Sequence, residues 1–344
     1  MGEPDEVIVV GNVPVQAERD GLLSIVVPMY NEAHSIDAFF ECLLDVLTRC
    51  GQPFEVICVD DGSTDATADK VRAWLNDDPR IVRVELTRNF GKERALAAGF
   101  DHTSGDAVIP IDADLQDPPE VILDLVAQWR LGYDMVVASR RGRPGDSALK
   151  RHSAAWFYRI MNHLSEVPLP ENAGDFRLLD RKVVDALRNL GERTRFHKGL
   201  YAWLGYRTSI IQYDRPDREA GESKWSYWRL WNHALDGIFS FSTAPLRLWS
   251  YVGGLLALAG FVYAGFIVAR TLVQGVDVPG YASLLVLMLL VNGLIMIGIG
   301  VVGEYVGRIF TEVKKRPTYL VEAIEQGADA PPEASRTPVE RRAP

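Results

Sequence analysis

Cysteine is scarce. Cys42, Cys50 and Cys58 are the only three in 344 residues. Their number and spacing give neither a disulfide framework nor a zinc site, and they point to a reducing compartment. Histidine is equally thin, and His102, His152, His163, His197 and His233 show no metal-ligand spacing. A basic excess is missing too: 37 Lys and Arg face 46 Asp and Glu, a formal net charge of −9. That argues against a general nucleic-acid binder, which needs a basic face. The first twenty residues carry Glu3, Asp5, Glu6, Glu18 and Asp20 and no long apolar core, so they read as a flexible arm, not a signal peptide.

Charge itself is absent from residues 282–302, and 251–272 holds only Arg270. A spanning helix needs ~20 apolar residues, so the two stretches predict a transmembrane hairpin within 249–305. Arg308, Lys314, Lys315 and Arg316 follow the second span, while 271–281 has no Lys or Arg. The basic bias places the soluble parts on the cytoplasmic side of a multi-pass inner (plasma) membrane protein. Gly293, Gly298, Gly300 and Gly303 give the second span small surfaces for close helix contact, within the hairpin or between copies in a homo-oligomer. Residues 224–248, with Trp225, Tyr227, Trp228 and Trp231 near Lys224, predict an amphipathic helix at the headgroup layer. Residues 150–164 mix Lys150, Arg151 and Arg159 with Trp156, Phe157 and Tyr158, which suits either that layer or a packed core helix. Residues 306–344 read as a cytoplasmic tail with a disordered, Ala/Pro/Glu-rich end.

The segment 21–223 has a different pattern. β-Branched apolar runs at 22–27, 54–59, 81–86, 107–111 and 135–139 alternate with helical periodicity at 35–50, 64–75 and 92–102. This is the pattern of an α/β domain with a mostly parallel sheet flanked by helices. Two strand ends are acidic: Asp60-Asp61-Gly62-Ser63, and Asp112-Ala113-Asp114-Leu115-Gln116. In such a sheet the crevice at the carboxyl ends can hold a nucleotide. Hard oxygens on a rigid strand end suit Mg2+ or Mn2+, shared with a phosphate.

Val27-Pro28-Met29-Tyr30-Asn31-Glu32, Val59-Asp60-Asp61-Gly62-Ser63 and Asp112-Ala113-Asp114 resemble the landmarks of family 2 inverting glycosyltransferases of the GT-A fold. Asp112 to Glu120, Asn172 to Leu178, Gly221-Glu222-Ser223-Lys224-Trp225 and the hairpin narrow the resemblance. The set is similar to polyprenyl-phosphate glycosyltransferases: the dolichyl-phosphate mannose synthase group and bacterial GtrB-like members that transfer glucose. The resemblance covers about Leu22 to Lys315. It implies a nucleoside held by Pro28, Tyr30, Glu32, Val59 and Asp61, with Asp112 and Ala113 nearby. It also implies a metal on Asp114 and Gln116, with Asp112 on the ribose or the ion.

The residues add roles of their own. Lys92, at a helix start after Asn89-Phe90-Gly91, reaches a phosphate or stands solvated. Asp61 accepts bonds from a base or caps the following helix. Arg140 and Arg151 offer guanidinium forks to an acceptor phosphate; Ser223-Lys224, in a Gly-containing loop, reads as a clamp on the diphosphate or lipid phosphate, or as an ordinary interface lysine. Asp175 orients the acceptor, takes a residual proton, or pairs with Arg177. The reading is an inverting, metal-dependent transfer of one sugar, first glucose, from a UDP- or GDP-linked donor to polyprenyl (undecaprenyl or dolichyl) phosphate. Mannose or an amino sugar is the near alternative, and a non-catalytic nucleotide-sugar-binding scaffold the distant one. A processive synthase is disfavoured, because no Gln-x-x-Arg-Trp string occurs.

Overall fold

The computed structural model describes residues 8–9, 19–140, 173–190, 192, 197–213, 244–274 and 280–327. In chain order the elements are β1 (Ile8–Val9), β2 (Leu23–Met29), α1 (Ile36–Cys50), β3 (Phe54–Asp60), α2 (Thr67–Asp77), β4 (Ile81–Leu86), α3 (Lys92–Asp101), β5 (Ala107–Pro110), α4 (Val121–Arg130), β6 (Met135–Arg140), β7 (Ala173–Asp180), α5 (Arg181–Asn189), α6 (His197–Leu204), β8 (Thr208–Tyr213), α7 (Ala244–Gln274), α8 (Tyr281–Val313) and β9 (Val321–Gln326). The chain divides into two compact units, the sheet with its helices and the segment from Arg316, and the apolar helices up to Lys315.

The first unit is built on one sheet of order β1-β8-β6-β7-β5-β2-β3-β4-β9. Its strands follow from sequence: β3 is buried along its whole length, as strands covered on both faces are. Successive side chains point to opposite faces. Val56 and Cys58 therefore join the larger core with Phe39, Phe40, Leu43, Leu47, Leu125 and Trp129 of α1 and α4. Ile57 and Val59 join the smaller core with Ala95 and Ala98 of α3. α3 lies close because Gly99 faces Val26 and Val59, where a Cβ would collide.

The block β5-β2-β3-β4 is parallel. The whole sheet, however, is mixed rather than mostly parallel. Among the described residues four of its eight pairings, β1–β8, β4–β9, β5–β7 and β6–β7, are antiparallel. Strand–helix alternation predicts the parallel block well, because each crossover helix forces its two strands into one direction. The antiparallel neighbours arrive by long excursions that carry no such signal. β9 comes after the apolar helices, so part of the expected tail is an edge strand of the sheet. Likewise, the expected arm contributes Ile8 and Val9 opposite Ile210 and Ser209. Residues 150–164, the interfacial stretch 224–241, and Arg151, Ser223 and Lys224 lie outside the described residues.

In the second unit α8 is long and apolar enough to cross a membrane over Leu290–Val313, 24 residues, or ~36 Å. The continuous apolar stretch of α7 is shorter, Trp249–Tyr263. Both helices turn large apolar side chains outward, among them Leu255, Phe261, Met296, Ile299 and Phe310. A surface of that kind requires surroundings other than water. The glycines of α8 divide: Gly298 packs against the indole of Trp249 on α7, while Gly293, Gly300, Gly303 and Gly307 have no neighbour within 4 Å of a built Cβ. Gly298 therefore serves the hairpin's own contact. Gly298→Val should destabilise the detergent-solubilised protein by about 1–3 kcal/mol, the cost of overpacking. Gly300→Val should not, and equal thermal midpoints for the two variants would contradict this packing.

Candidate active site

The parallel block reverses its order between β2 and β5: β3 and β4 lie to one side of β2, β5 to the other. Such a switch opens a crevice beyond the carboxyl ends of the two strands. The turn after β2 and the loop after β5 are therefore the places to look for chemistry.

Two interlaced turns form the first wall. Asn31 adopts φ 56°, a left-handed conformation that Asn tolerates better than most residues. Its amide donates to Ser63 Oγ (3.1 Å), and its Oδ1 accepts from the Thr64 amide (2.8 Å). The Glu32 amide donates to Thr67 Oγ1 (2.9 Å). Gly62 is at φ 71°, and a Cβ there would lie 2.7 Å from the Arg88 carbonyl carbon, so glycine is required twice over. Asp60 Oδ1 closes the turn on the Ser63 amide (2.9 Å). Asp61 is buried, and its two oxygens accept from the amides of Phe90 (2.7 Å) and Gly91 (2.8 Å). It thus anchors the loop before α3 and caps no helix of its own, though a carboxylate oxygen has a second lone pair for another donor. Burial pushes its carboxyl up and the two amides oppose that. Tyr30 is 45% exposed, leaving a flat ring face on the crevice rim. Val59 and Ala113 are buried, so only their backbone can serve a ligand.

The second wall is acidic. Asp114 Oδ1 accepts the Gln116 amide (3.1 Å), and Leu115 between them sits at φ 56°. A branched residue in that region is strained by roughly 1–2 kcal/mol, and such strain gathers at functional loops. Lys92, first residue of α3, places Nζ 2.7 Å from Asp112 Oδ2 and 3.0 Å from Asp175 Oδ2. The lysine is therefore an ion-pair bridge, though its side chain stays partly in solvent, and Asp175 on β7 pairs with it rather than with Arg177. Loss of hydration pushes the Asp112 carboxyl up; Lys92 opposes this, and Asp175 and Asp114 add to it. Burial likewise raises Glu32, with His34 opposing and Asp114 and Asp112 adding to the rise. Among the described residues, Asp112 is thus coupled to the carboxylates of Glu32, Asp114 and Asp175 and to the ammonium of Lys92.

Arg140, at the end of β6, has partners that sequence reasoning missed. Its Nη2 donates to Asp117 Oδ1 (3.2 Å) and its Nε to Tyr213 Oη (3.1 Å), while Tyr213 donates to the same Asp117. Burial of the phenol, then its bond to Asp117, pushes Tyr213 up to about 12. The guanidinium passes 3.7 Å from where a Cβ of Gly174 would stand, beside Asp175. Asp117 was legible as one more acid in Asp112-Ala113-Asp114-Leu115-Gln116-Asp117, whereas Tyr213 carried no signal. Arg177 turns into the domain, its guanidinium 4.0 Å above the Tyr201 ring. Beneath α3, Glu93 bonds the amide and ring of buried His197. The structure thus brings Pro28, Tyr30, Glu32, Asp61, Lys92, Asp112, Asp114, Gln116, Asp175 and Arg140 to one end of the sheet.

Among the described residues, no three Asp, Glu, His or Cys side chains form a ready metal cage. The donor chemistry still fits a hard cation. Mg2+ is usually held by one or two carboxylates and completed by substrate phosphates and water. Asp112, Asp114 and the Gln116 amide oxygen are that kind of partial set. One consequence is measurable. Lys92→Met removes the ammonium that bridges Asp112 and Asp175 and should lower stability by about 1 kcal/mol, given that the pair is half-exposed. Millimolar Mn2+ should restore the thermal midpoint. A midpoint unchanged by the substitution, or deaf to Mn2+, would contradict the charge balance described.

Residues 24–188 match the family described as Glycosyl transferase family 2, and 244–309 match the GtrB C-terminal hairpin. An uncharacterized glycosyltransferase of Synechocystis sp. is 53% identical over 87% of this chain and 94% of its own length. The SfII prophage-derived bactoprenol glucosyl transferase of Shigella flexneri is 48% identical over 89% of this chain and 99% of its own. Among solved structures, a mannosyltransferase from Pyrobaculum calidifontis in complex with GDP-Man and Mn2+ is 21% identical, covering 89% of this chain and 90% of that one at a TM-score of 0.43. With relatives of that identity spanning nearly its whole length, the chain belongs to the family 2 glycosyltransferases that carry a GtrB-type C-terminal hairpin, and its sheet is the GT-A-like mixed α/β fold of that family.

Proposed function

We propose that this enzyme transfers one glucosyl residue from a UDP- or GDP-linked donor to polyprenyl phosphate, with inversion, at the cytoplasmic face of the inner membrane. The observation that carries the choice of sugar and lipid is the 48% identity to bactoprenol glucosyl transferases, matched over 99% of their length. The crevice supports the same reading from its chemistry.

In this reading the interlaced turns of Tyr30–Glu32 and Asp60–Ser63 hold the nucleoside, with the Tyr30 ring as a packing face. Asp112, Asp114 and Gln116 would hold Mg2+ or Mn2+, which, when bound, neutralises charge on the departing diphosphate. Lys92 gives up part of its pairing with Asp112 and Asp175 to face a donor phosphate at the start of α3. Arg140, fixed by Asp117 and Tyr213, turns a preset fork to the acceptor phosphate. Arg151, Ser223 and Lys224 are further candidates for that phosphate. An acceptor oxygen, already ionised near neutral pH, forms the bond to the anomeric carbon as the bond to the diphosphate oxygen breaks. The nucleoside diphosphate leaves with the electron pair. Little general-base help is needed, and Asp175, already accepting from Lys92, orients that cation rather than collecting a proton.

Chain topology supports a two-span anchor. β8 and β9 belong to one sheet, so the stretch between them must cross a membrane an even number of times. The basic residues Arg308, Lys314, Lys315 and Arg316 follow α8, or lie in its last turns, which favours the cytoplasm for that sheet.

Purified enzyme, radiolabelled UDP- and GDP-sugars and undecaprenyl phosphate test the proposal. Label should enter lipid from a glucose donor, and chelator should abolish it. Asp114→Ala should cut the rate by about 100-fold or more. No labelled lipid from any donor would overturn the proposal. Tyr213→Phe, which frees one side of the Arg140 fork, should raise the acceptor KM about three- to tenfold with the donor KM unchanged. The reverse pattern would remove Arg140 from the acceptor site.

A further inference from the structure

The strand that follows the apolar helices is tied to the nucleotide turn by an unbroken polar chain. β9 pairs with β4 from Val321 to Gln326, and Thr87 extends the pairing by donating its amide to the Leu320 carbonyl (3.0 Å). Behind this pairing lies Arg83, whose side chain is 0% exposed. Its Nη1 meets Glu325 Oε2 of β9 at 3.1 Å and Glu85 Oε2 at 3.0 Å. Its Nη2 donates to Asp60 Oδ2 at 2.7 Å. The other oxygen of Asp60 holds the Ser63 amide, and Ser63 Oγ holds the amide of Asn31. Glu325 is also gripped by Arg72 of α2, through Nε at 3.0 Å and Nη2 at 3.1 Å. α2 begins at Thr67, whose hydroxyl accepts the Glu32 amide. Both routes from Glu325 therefore end on the two turns assigned to the nucleoside.

A buried guanidinium keeps a fixed geometry only while its carboxylate partners remain in place. Arg83 has three, and two of them, Asp60 and Glu85, belong to the parallel block of the sheet. The third is supplied only when β9 is docked. Seven residues, 314–320, separate the end of α8 from this strand. We propose that Glu325, on the strand after the hairpin, is a positioning residue for the donor turn, acting through Arg83 and Asp60. The inference rests on the reading of that turn as the nucleotide site. It makes the segment after the membrane helices a working part of donor recognition.

A second tie of the same segment supplies the control. Tyr319 donates to Asp101 Oδ2 at 2.7 Å, at the far end of α3 from the site. Loosening the segment there leaves Arg83 untouched. Full-length enzyme, Glu325→Gln and Tyr319→Phe should be compared in steady-state assays with UDP-glucose and GDP-glucose as donors and undecaprenyl phosphate as acceptor, well below each thermal midpoint. Glu325→Gln should raise the donor KM about three- to tenfold, the range of coupling through contacting partners, with the acceptor KM unchanged. Tyr319→Phe should leave the donor KM unchanged. An unaltered donor KM in Glu325→Gln, a parallel rise in both KM values, or an equal donor effect in Tyr319→Phe would each overturn the positioning role and leave β9 as a clasp. Absence of turnover in the unmodified enzyme with either donor would instead overturn the reading of the site, and this inference with it.

Discussion

Among the described residues, the crevice is organised around a cluster of acids gathered about one lysine. Glu32, Asp112, Asp114 and Asp175 share one end of the sheet with the ammonium of Lys92, and Glu32 and Asp112 are pushed up by burial and by neighbouring acids. Carboxylates so placed are costly unless a cation joins them. The fold accepts that cost where the ligand is itself a polyanion whose binding brings in metal charge. Strain at Leu115 belongs to the same bargain, since the loop is held in a shape that its backbone would not choose.

The rest of the domain supports this arrangement. Small residues in α3 bring the helix onto β2 and β3, which sets Lys92 across from Asp112. Asp61 spends its oxygens on Phe90 and Gly91, so the start of α3 is fixed before any ligand arrives. Asp117 and Tyr213 hold the direction of the Arg140 guanidinium in advance, as Asp112 and Asp175 hold the Lys92 ammonium. A donor preset as Arg140 is needs little reorganisation during the reaction, which is where an enzyme gains most over water. Beneath them, Glu325, Arg83 and Asp60 extend the same scheme from the far edge of the sheet.

Much of this was legible in the sequence, for physical reasons that can be named. The runs at 22–27, 54–59 and 81–86 read as buried strands because both faces are covered, and crossover helices fix a parallel direction. Asp112-Ala113-Asp114-Leu115-Gln116 stood out because acids at a strand end have no structural excuse. The antiparallel half of the sheet did not read out, since β7, β8 and β9 come from excursions of arbitrary length. Lys92 could be placed at a helix start, but not between two acids distant in sequence. Arg83 gave no warning, because a lone arginine in a strand looks solvated until an edge strand covers it. The division of labour among the α8 glycines likewise needed the position of Trp249.

The most direct test of the central claim is Mn2+ binding followed by electron paramagnetic resonance, with and without UDP or GDP. If the acids form only a partial set that a diphosphate completes, the metal should bind weakly alone and about tenfold or more tightly with nucleotide. Tight binding without nucleotide, or binding that nucleotide leaves unchanged, would contradict the account.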